Sequence, residues 1–286
     1  MKIAIATDSG SGLTKEEASK MGVFVLPLEI SINDQLFYEG VDLKHEDFYQ
    51  FLDTKNKVST SQPSPGDIIR FWDEILEKGY DQIIYIPLSS GLSSSFETAS
   101  MISKERYKDK VFVVDNHRIS VTQIHGVLSG KELVKKGLSP LEIKEKLEEN
   151  GSKSVIFVGF ESLDYLKKGG RLMLSTVAQI GKVLNILPLV TIKEDKADSI
   201  DFLRGKKKCK AKIIERTKLV LEKLQEENID YYLTIGGTFK KQEDKEAWIE
   251  FAKEYLPKEN IKYENLSCSV ATHAGPDAFG VGISVK

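Results

Sequence analysis

Gln82-Ile83-Ile84-Tyr85-Ile86-Pro87-Leu88 runs directly into Ser89-Ser90-Gly91-Leu92-Ser93-Ser94-Ser95. The first seven residues read as a β-strand, the next seven as a polar loop, and a helix is expected from about Ser93. Strand, loop and helix in that order form the first half of a βαβ unit, and ligands of open α/β sheets bind outside the carboxyl ends of the strands. Five serines in this loop can donate several hydrogen bonds to one anion. Read alone, the segment is also satisfied as a serine-rich turn with an N-cap. It is not a nucleophile elbow, because Gly91-Leu92-Ser93-Ser94-Ser95 lacks the second glycine of G-x-S-x-G.

The same grammar extends both ways. Lys2–Thr7 reads as a buried strand, Thr14 with Glu17 as a capping box, Val23–Ile32 as one strand, and Asn33-Asp34 as a turn toward Leu36–Tyr38. Glu46–Leu52 reads as a helix. Ser64-Pro65 opens a helix to about Lys78, Val111–Asp115 is a strand, and Ile119–Lys136 and the segment from Ser139-Pro140 to about Glu149 are helices. The expected fold class is α/β with two domains. An N-terminal domain, 1–150, holds a mostly parallel sheet flanked by helices, and a C-terminal α/β domain, 151–286, begins after the Asn150-Gly151-Ser152 break. In the second part, Val155–Gly159 is a strand and Ser162–Lys168 a short helix. Leu187–Ile192 and Ser199–Leu203 form a hairpin around Glu194-Asp195-Lys196. Lys210–Glu227, Tyr231–Ile235, Asp244–Tyr255 and Ile283–Val285 complete it as helix, strand, helix and strand.

Composition narrows the function. The chain has 286 residues, 41% hydrophobic and 29% charged, with 41 Lys and Arg against 43 Asp and Glu. That near balance argues against a nucleic-acid-coating protein. Cys209 and Cys268 are no disulfide framework and read as reduced thiols of a cytoplasmic protein. Neither the apolar start Met1–Ala6 nor the stretch Val183–Ile192 is long enough to span a bilayer. No G-x-x-x-x-G-K-[ST] or G-x-G-x-x-G occurs, so an ATP site is expected on another polypeptide if phosphoryl transfer is involved.

Four further segments carry potential chemistry. Thr60-Ser61-Gln62-Pro63-Ser64-Pro65 brings hydroxyls and an amide to a helix N-terminus, a setting for a carboxylate or phosphate as well as for simple capping. His273-Ala274-Gly275-Pro276-Asp277 holds an imidazole before a constrained turn. Histidines 45, 117 and 125 form no i, i+4 pair, so no metal site is expected. Tyr165–Arg171 ends a short helix on Gly169-Gly170 and places Arg171 to meet an anion or a partner protein. The basic run Arg204–Lys212 is a solvated face, or one suited to transient contact with an acidic protein or an anionic membrane surface.

Taken as an ordered set, Thr7-Asp8-Ser9, Thr60-Ser61-Gln62-Pro63-Ser64, Ser89-Ser90-Gly91-Leu92-Ser93, Val113-Val114-Asp115, Leu163–Arg171 and His273-Ala274-Gly275-Pro276 resemble the DegV family, the fatty-acid-binding subunits of bacterial fatty acid kinase. The resemblance covers essentially the whole chain. It implies a two-domain α/β fold with a long-chain fatty acid in an apolar tunnel between the domains. Ser93 and Ser90 of one loop, Thr60 and Ser61 of another, and His273 would hold the carboxylate. Arg171 would lie near the head group or the kinase contact. It further implies a carrier rather than an enzyme, with no catalytic residue and no cofactor besides the bound lipid. A separate kinase would phosphorylate the carboxylate to an acyl phosphate for phospholipid synthesis. Asp277 stands where the family usually has glycine, which puts a carboxylate near the proposed head group. Ile119 and Val121 are bulkier than the family pattern and are expected to reshape the tunnel. Two rival readings remain at this level: a hydrolase with Ser93 as nucleophile and His273 as base, and a lipid-binding sensor without a kinase.

Overall fold

The computed structural model describes residues 2–53, 55–170, 186–194 and 196–286. In the first half the strands are β1 (Ile3–Asp8), β2 (Phe24–Leu26), β3 (Glu29–Ile32), β4 (Gln35–Tyr38), β5 (Val58–Ser61), β6 (Gln82–Ile86) and β7 (Val111–Val113). The helices there are α1 (Lys15–Met21), α2 (His45–Tyr49), α3 (Pro65–Glu77), α4 (Ser95–Ile102), α5 (Val121–Lys135) and α6 (Pro140–Gly151). The second half adds β8 (Val155–Gly159), α7 (Asp164–Lys168), β9 (Ile186–Lys193), β10 (Lys196–Arg204), α8 (Lys206–Glu226), β11 (Tyr231–Gly237), α9 (Gln242–Tyr255), β12 (Lys262–Asn265), α10 (Cys268–Ala274) and β13 (Phe279–Val285).

A parallel sheet in the order β2-β1-β6-β7 carries the loop quoted at the outset. Its strands are apolar almost throughout because helices cover both faces. Ala4, Ala6, Ile83 and Tyr85 meet Ile68, Phe71, Trp72 and Ile75 of α3. The alternate residues Ile5, Ile84 and Ile86 meet Val127 of α5 and Ile143 and Leu147 of α6. The capping boxes Thr14/Glu17 and Ser139/Glu142 both form, and Ser64 caps α3 with Pro65 in its first turn.

The stretch 23–32, read as one strand, is two. Pro27, which has no N–H to give a ladder, separates β2 in the parallel sheet from β3 in an antiparallel sheet of order β4-β3-β5. The N–H of Leu28 donates instead to Ser9 Oγ at 2.9 Å. Asn33 and Asp34 turn the β3–β4 hairpin with φ of 51° and 65°, the left-handed pair a two-residue hairpin needs.

The third sheet runs β10-β9-β8-β13-β11-β12. Phe157, Leu189 and Phe279 pack one face against Ile213 of α8 and Trp248 of α9. The alternate residues Val158 and Val190 belong to a separate cluster with Val121, Phe160, Leu163, Leu266 and Ala274 on the opposite face. The expected 187–203 hairpin forms, with Asp195 of its turn outside the described residues. The basic run occupies the first turns of α8. Lys206 pairs with Glu161 at 2.9 Å and Lys210 lies over the rings of Trp248 and Phe279. No helix among the described residues is long and apolar enough to cross a membrane.

Candidate functional site

Between the second face of the six-stranded sheet and the loops of the first half lies a cavity of about 140 Å³. Ile156, Val158, Val190 and Ile192, with Gly280 beside Val158, give it a sheet wall. Leu28, Leu88, Leu92, Ile119 and Val121 face it from the first half, and Leu266 and Val270 from α10 and the residues before it. Polar groups gather on the loops: Thr60, Ser61 and Gln62 at the end of β5, Ser93 and Ser95 after β6, and Ser269 and His273 on α10. Ser61 and Gln62 are exposed, whereas Ser93 and His273 are half-buried. Thr60 Oγ1 and His273 Nε2 are hydrogen-bonded at 3.0 Å. Ser93 Oγ lies 2.8 Å from Ser95 Oγ and accepts from the Ser95 N–H at 3.2 Å.

The structure thus brings Thr60, Ser61, Ser93 and His273 to one cavity. Ser90 is turned aside: its hydroxyl donates to Asp115 Oδ2 at 2.6 Å, which fixes the loop rather than facing the cavity. Arg171 lies outside the described residues. Asp277, expected near the head group, instead accepts from the N–H of Lys240 at 3.4 Å and raises the pKa of Lys206, so its charge faces α8. Ile119 and Val121 do line the cavity. The hydrolase dyad is not formed, since Ser93 meets Ser95 and His273 Nε2 meets Thr60.

Sequence reading left Asp8 without a role. It is fully buried under the serine loop, where Oδ2 accepts from the N–H of Leu88 at 2.8 Å. Oδ1 accepts from the N–H of Gly10 at 3.0 Å and from Gln123 Nε2 at 2.9 Å. Burial pushes its carboxyl pKa up to about 6, against the lowering effect of these donors. The pattern Tyr165–Gly169 also gains a role. A side chain on Gly169 would come within 2.0 Å of His273 Nδ1, and one on Gly275 within 2.5 Å of Tyr165, so α7 packs directly on the end of α10. Ser95, Ser120 and Ser269 join the lining without a sequence signal for it; Ser120 enters through a backbone with φ of 55°, which periodicity does not announce.

Such a fold and cavity define a mixed α/β protein with an oily interior slot closed by neutral hydrogen-bonding groups. The model of a family described as uncharacterised proteins of the DegV family matches residues 2–286. A DegV domain-containing protein of Caldanaerobacter subterraneus subsp. tengcongensis is 31% identical over 100% of this chain and 99% of its own length. The crystal structure of DegV, a fatty acid binding protein from Bacillus subtilis, superimposes with a TM-score of 0.82 at 26% identity over 100% of both chains. A fatty-acid-binding DegV family protein from Thermus thermophilus superimposes with a TM-score of 0.86 at 24% identity, again over 100% of both. The chain belongs to the DegV family.

Proposed function

We propose that this protein binds one long-chain fatty acid, with its tail in the apolar cavity and its carboxylate against Thr60, Ser61, Ser93 and His273. The observation that carries the reading is an apolar sheet wall faced by polar side chains from the end of β5, the loop after β6 and helix α10, which meet at one cavity. A tail of about 15 methylenes gains roughly 12 kcal/mol on full burial, at ~0.8 kcal/mol each, before binding costs. The carboxylate must keep hydrogen-bond donors when it leaves water. Neutral hydroxyls supply them and leave the oxygens open to a phosphoryl donor. The fatty-acid-binding relatives from Bacillus subtilis and Thermus thermophilus support the same ligand class.

On this reading the chain is a carrier whose lipid is phosphorylated by a separate fatty acid kinase, with ATP bound on that partner. We read it as two domains dividing near residue 150, located in the cytoplasm, with Arg171 near the head group or the kinase contact. Denaturing mass spectrometry of the purified protein should release a fatty acid in about a one-to-one ratio. Purified protein that holds no lipid and takes up none when titrated would defeat the proposal. Kinase and ATP added to the loaded protein should yield acyl phosphate, and the Ser93→Ala variant should yield less. Binding without phosphorylation would leave a sensor.

A further inference from the structure

Glu39 follows β4 and is 2% exposed. Its Oε2 accepts from Ser9 Oγ at 2.8 Å, and its Oε1 accepts from the N–H of Cys268 at the start of α10. Among the described residues its ion-pair partner is His45, the first residue of α2, whose Nε2 stands 3.4 Å from the same Oε1. The thiol of Cys268 completes the group: carboxylate oxygen, imidazole nitrogen and sulfur lie within 4.8 Å of one another. The segment after β4, α2 and α10 therefore converge on one buried carboxylate, with His45 as its only ion-pair partner among the described residues.

A buried carboxylate is costly unless it is paired with a cation or fully hydrogen-bonded. A divalent ion supplies that cation. Oxygen, nitrogen and thiolate sulfur make a borderline-soft donor set of the kind that takes zinc with three protein ligands and a fourth position for water. The 3.4 Å between Nε2 and Oε1 fits the edge of a tetrahedron with metal–ligand bonds of about 2.0–2.1 Å.

We propose that Glu39 Oε1, His45 Nε2 and Cys268 Sγ form a binding site for one zinc ion. On binding, the S–H bond of Cys268 breaks, its proton passes to solvent and the sulfur donates an electron pair to the metal. His45 binds through the lone pair of Nε2, with its remaining proton on Nδ1. Ser9 Oγ stays on Oε2 and holds the carboxylate in orientation. Because binding releases the thiol proton, affinity rises with pH. The ion would pin the start of α10, the helix whose last turn carries His273.

The test uses the full chain, stripped with a chelator and titrated with Co²⁺ as a spectroscopic substitute for Zn²⁺. We expect one equivalent to bind with a thiolate-to-cobalt charge-transfer band in the near ultraviolet that Zn²⁺ abolishes. C268S should lose the band, C209S should keep it, and H45Q should weaken Co²⁺ binding roughly tenfold or more. The absence of a saturable band, or a band that survives in C268S, overturns the site. Should C268S not fold, H45Q decides, because the His45 side chain is 12% exposed whereas Cys268 is fully buried; unchanged affinity there also overturns it. None of these readouts depends on bound lipid.

Discussion

Asp8 has donors on both carboxylate oxygens and still titrates late, because a fully buried charge lacks the solvation that three hydrogen bonds only partly replace. Its folded pKa of about 6 exceeds the ordinary 3.8, so the folded state holds this proton more tightly than the unfolded one. Stability from this group is therefore greatest below about pH 3.8, falls as pH rises through the window to about 6, and is flat above. The loss is roughly 3 kcal/mol at ~1.36 kcal/mol per unit. Comparing the urea-unfolding free energies of wild type and Asp8→Asn across that window should show the difference. Parallel pH profiles would refute it. Gly169 gives a second expectation at this scale. Its φ is −79°, so alanine is conformationally acceptable and the cost is steric, from a methyl carried into the His273 ring. Gly169→Ala should lower fatty acid affinity and cost about 1–3 kcal/mol of stability as the ring is pushed aside. If His273 does not touch the ligand, affinity will not follow the ring.

Elements differ in how far their residues announce them. β1 and β6 were legible because a strand covered on both faces is apolar at successive positions, and α6 because Ser139-Pro140-Leu141-Glu142 is a complete start signal. β5, Val58-Ser59-Thr60-Ser61, carries no apolar alternation of its own and resembles a loop; its strand state comes from pairing with β3. α10, Cys268–Ala274, is too short for a helical period. It is held instead by the Ser267 cap, by Glu39 on its first N–H, and by Tyr49 Oη donating to the carbonyl of Leu266. The site residues were legible as a set of loops, but not the pairing of Thr60 with His273, which lie 213 residues apart. The cap yields a prediction at the same scale. Ser267→Ala should cost about 1 kcal/mol in unfolding free energy. It should weaken ligand binding more than Ser139→Ala, which removes an equivalent cap from α6, a helix that contributes no residue to the cavity lining. Equal effects of the two on binding would mean that α10 does not position the head group.

At the scale of the molecule, the size of the cavity sets what the tail must do. A cavity of about 150 Å³ takes a ligand the size of benzene, so 140 Å³ between the six-stranded sheet and the loops facing it is too little for a long acyl chain held by fixed walls. The wall residues are aliphatic side chains from elements of both halves, and their displacement has to be set against the methylenes buried. Affinity along a series of saturated acids should therefore climb by about fourfold per methylene, the equivalent of ~0.8 kcal/mol, while the tail occupies existing space. It should then climb less steeply once each further carbon has to move the wall. Val158→Phe adds volume to the sheet wall without a polar atom, so it should leave the melting temperature of the lipid-free protein unchanged or higher. It should also shift the break in that series toward shorter chains. Isothermal titration across the series reads both slopes. An affinity indifferent to chain length, or a break that Val158→Phe leaves in place, would mean that the tail lies somewhere other than against this sheet wall.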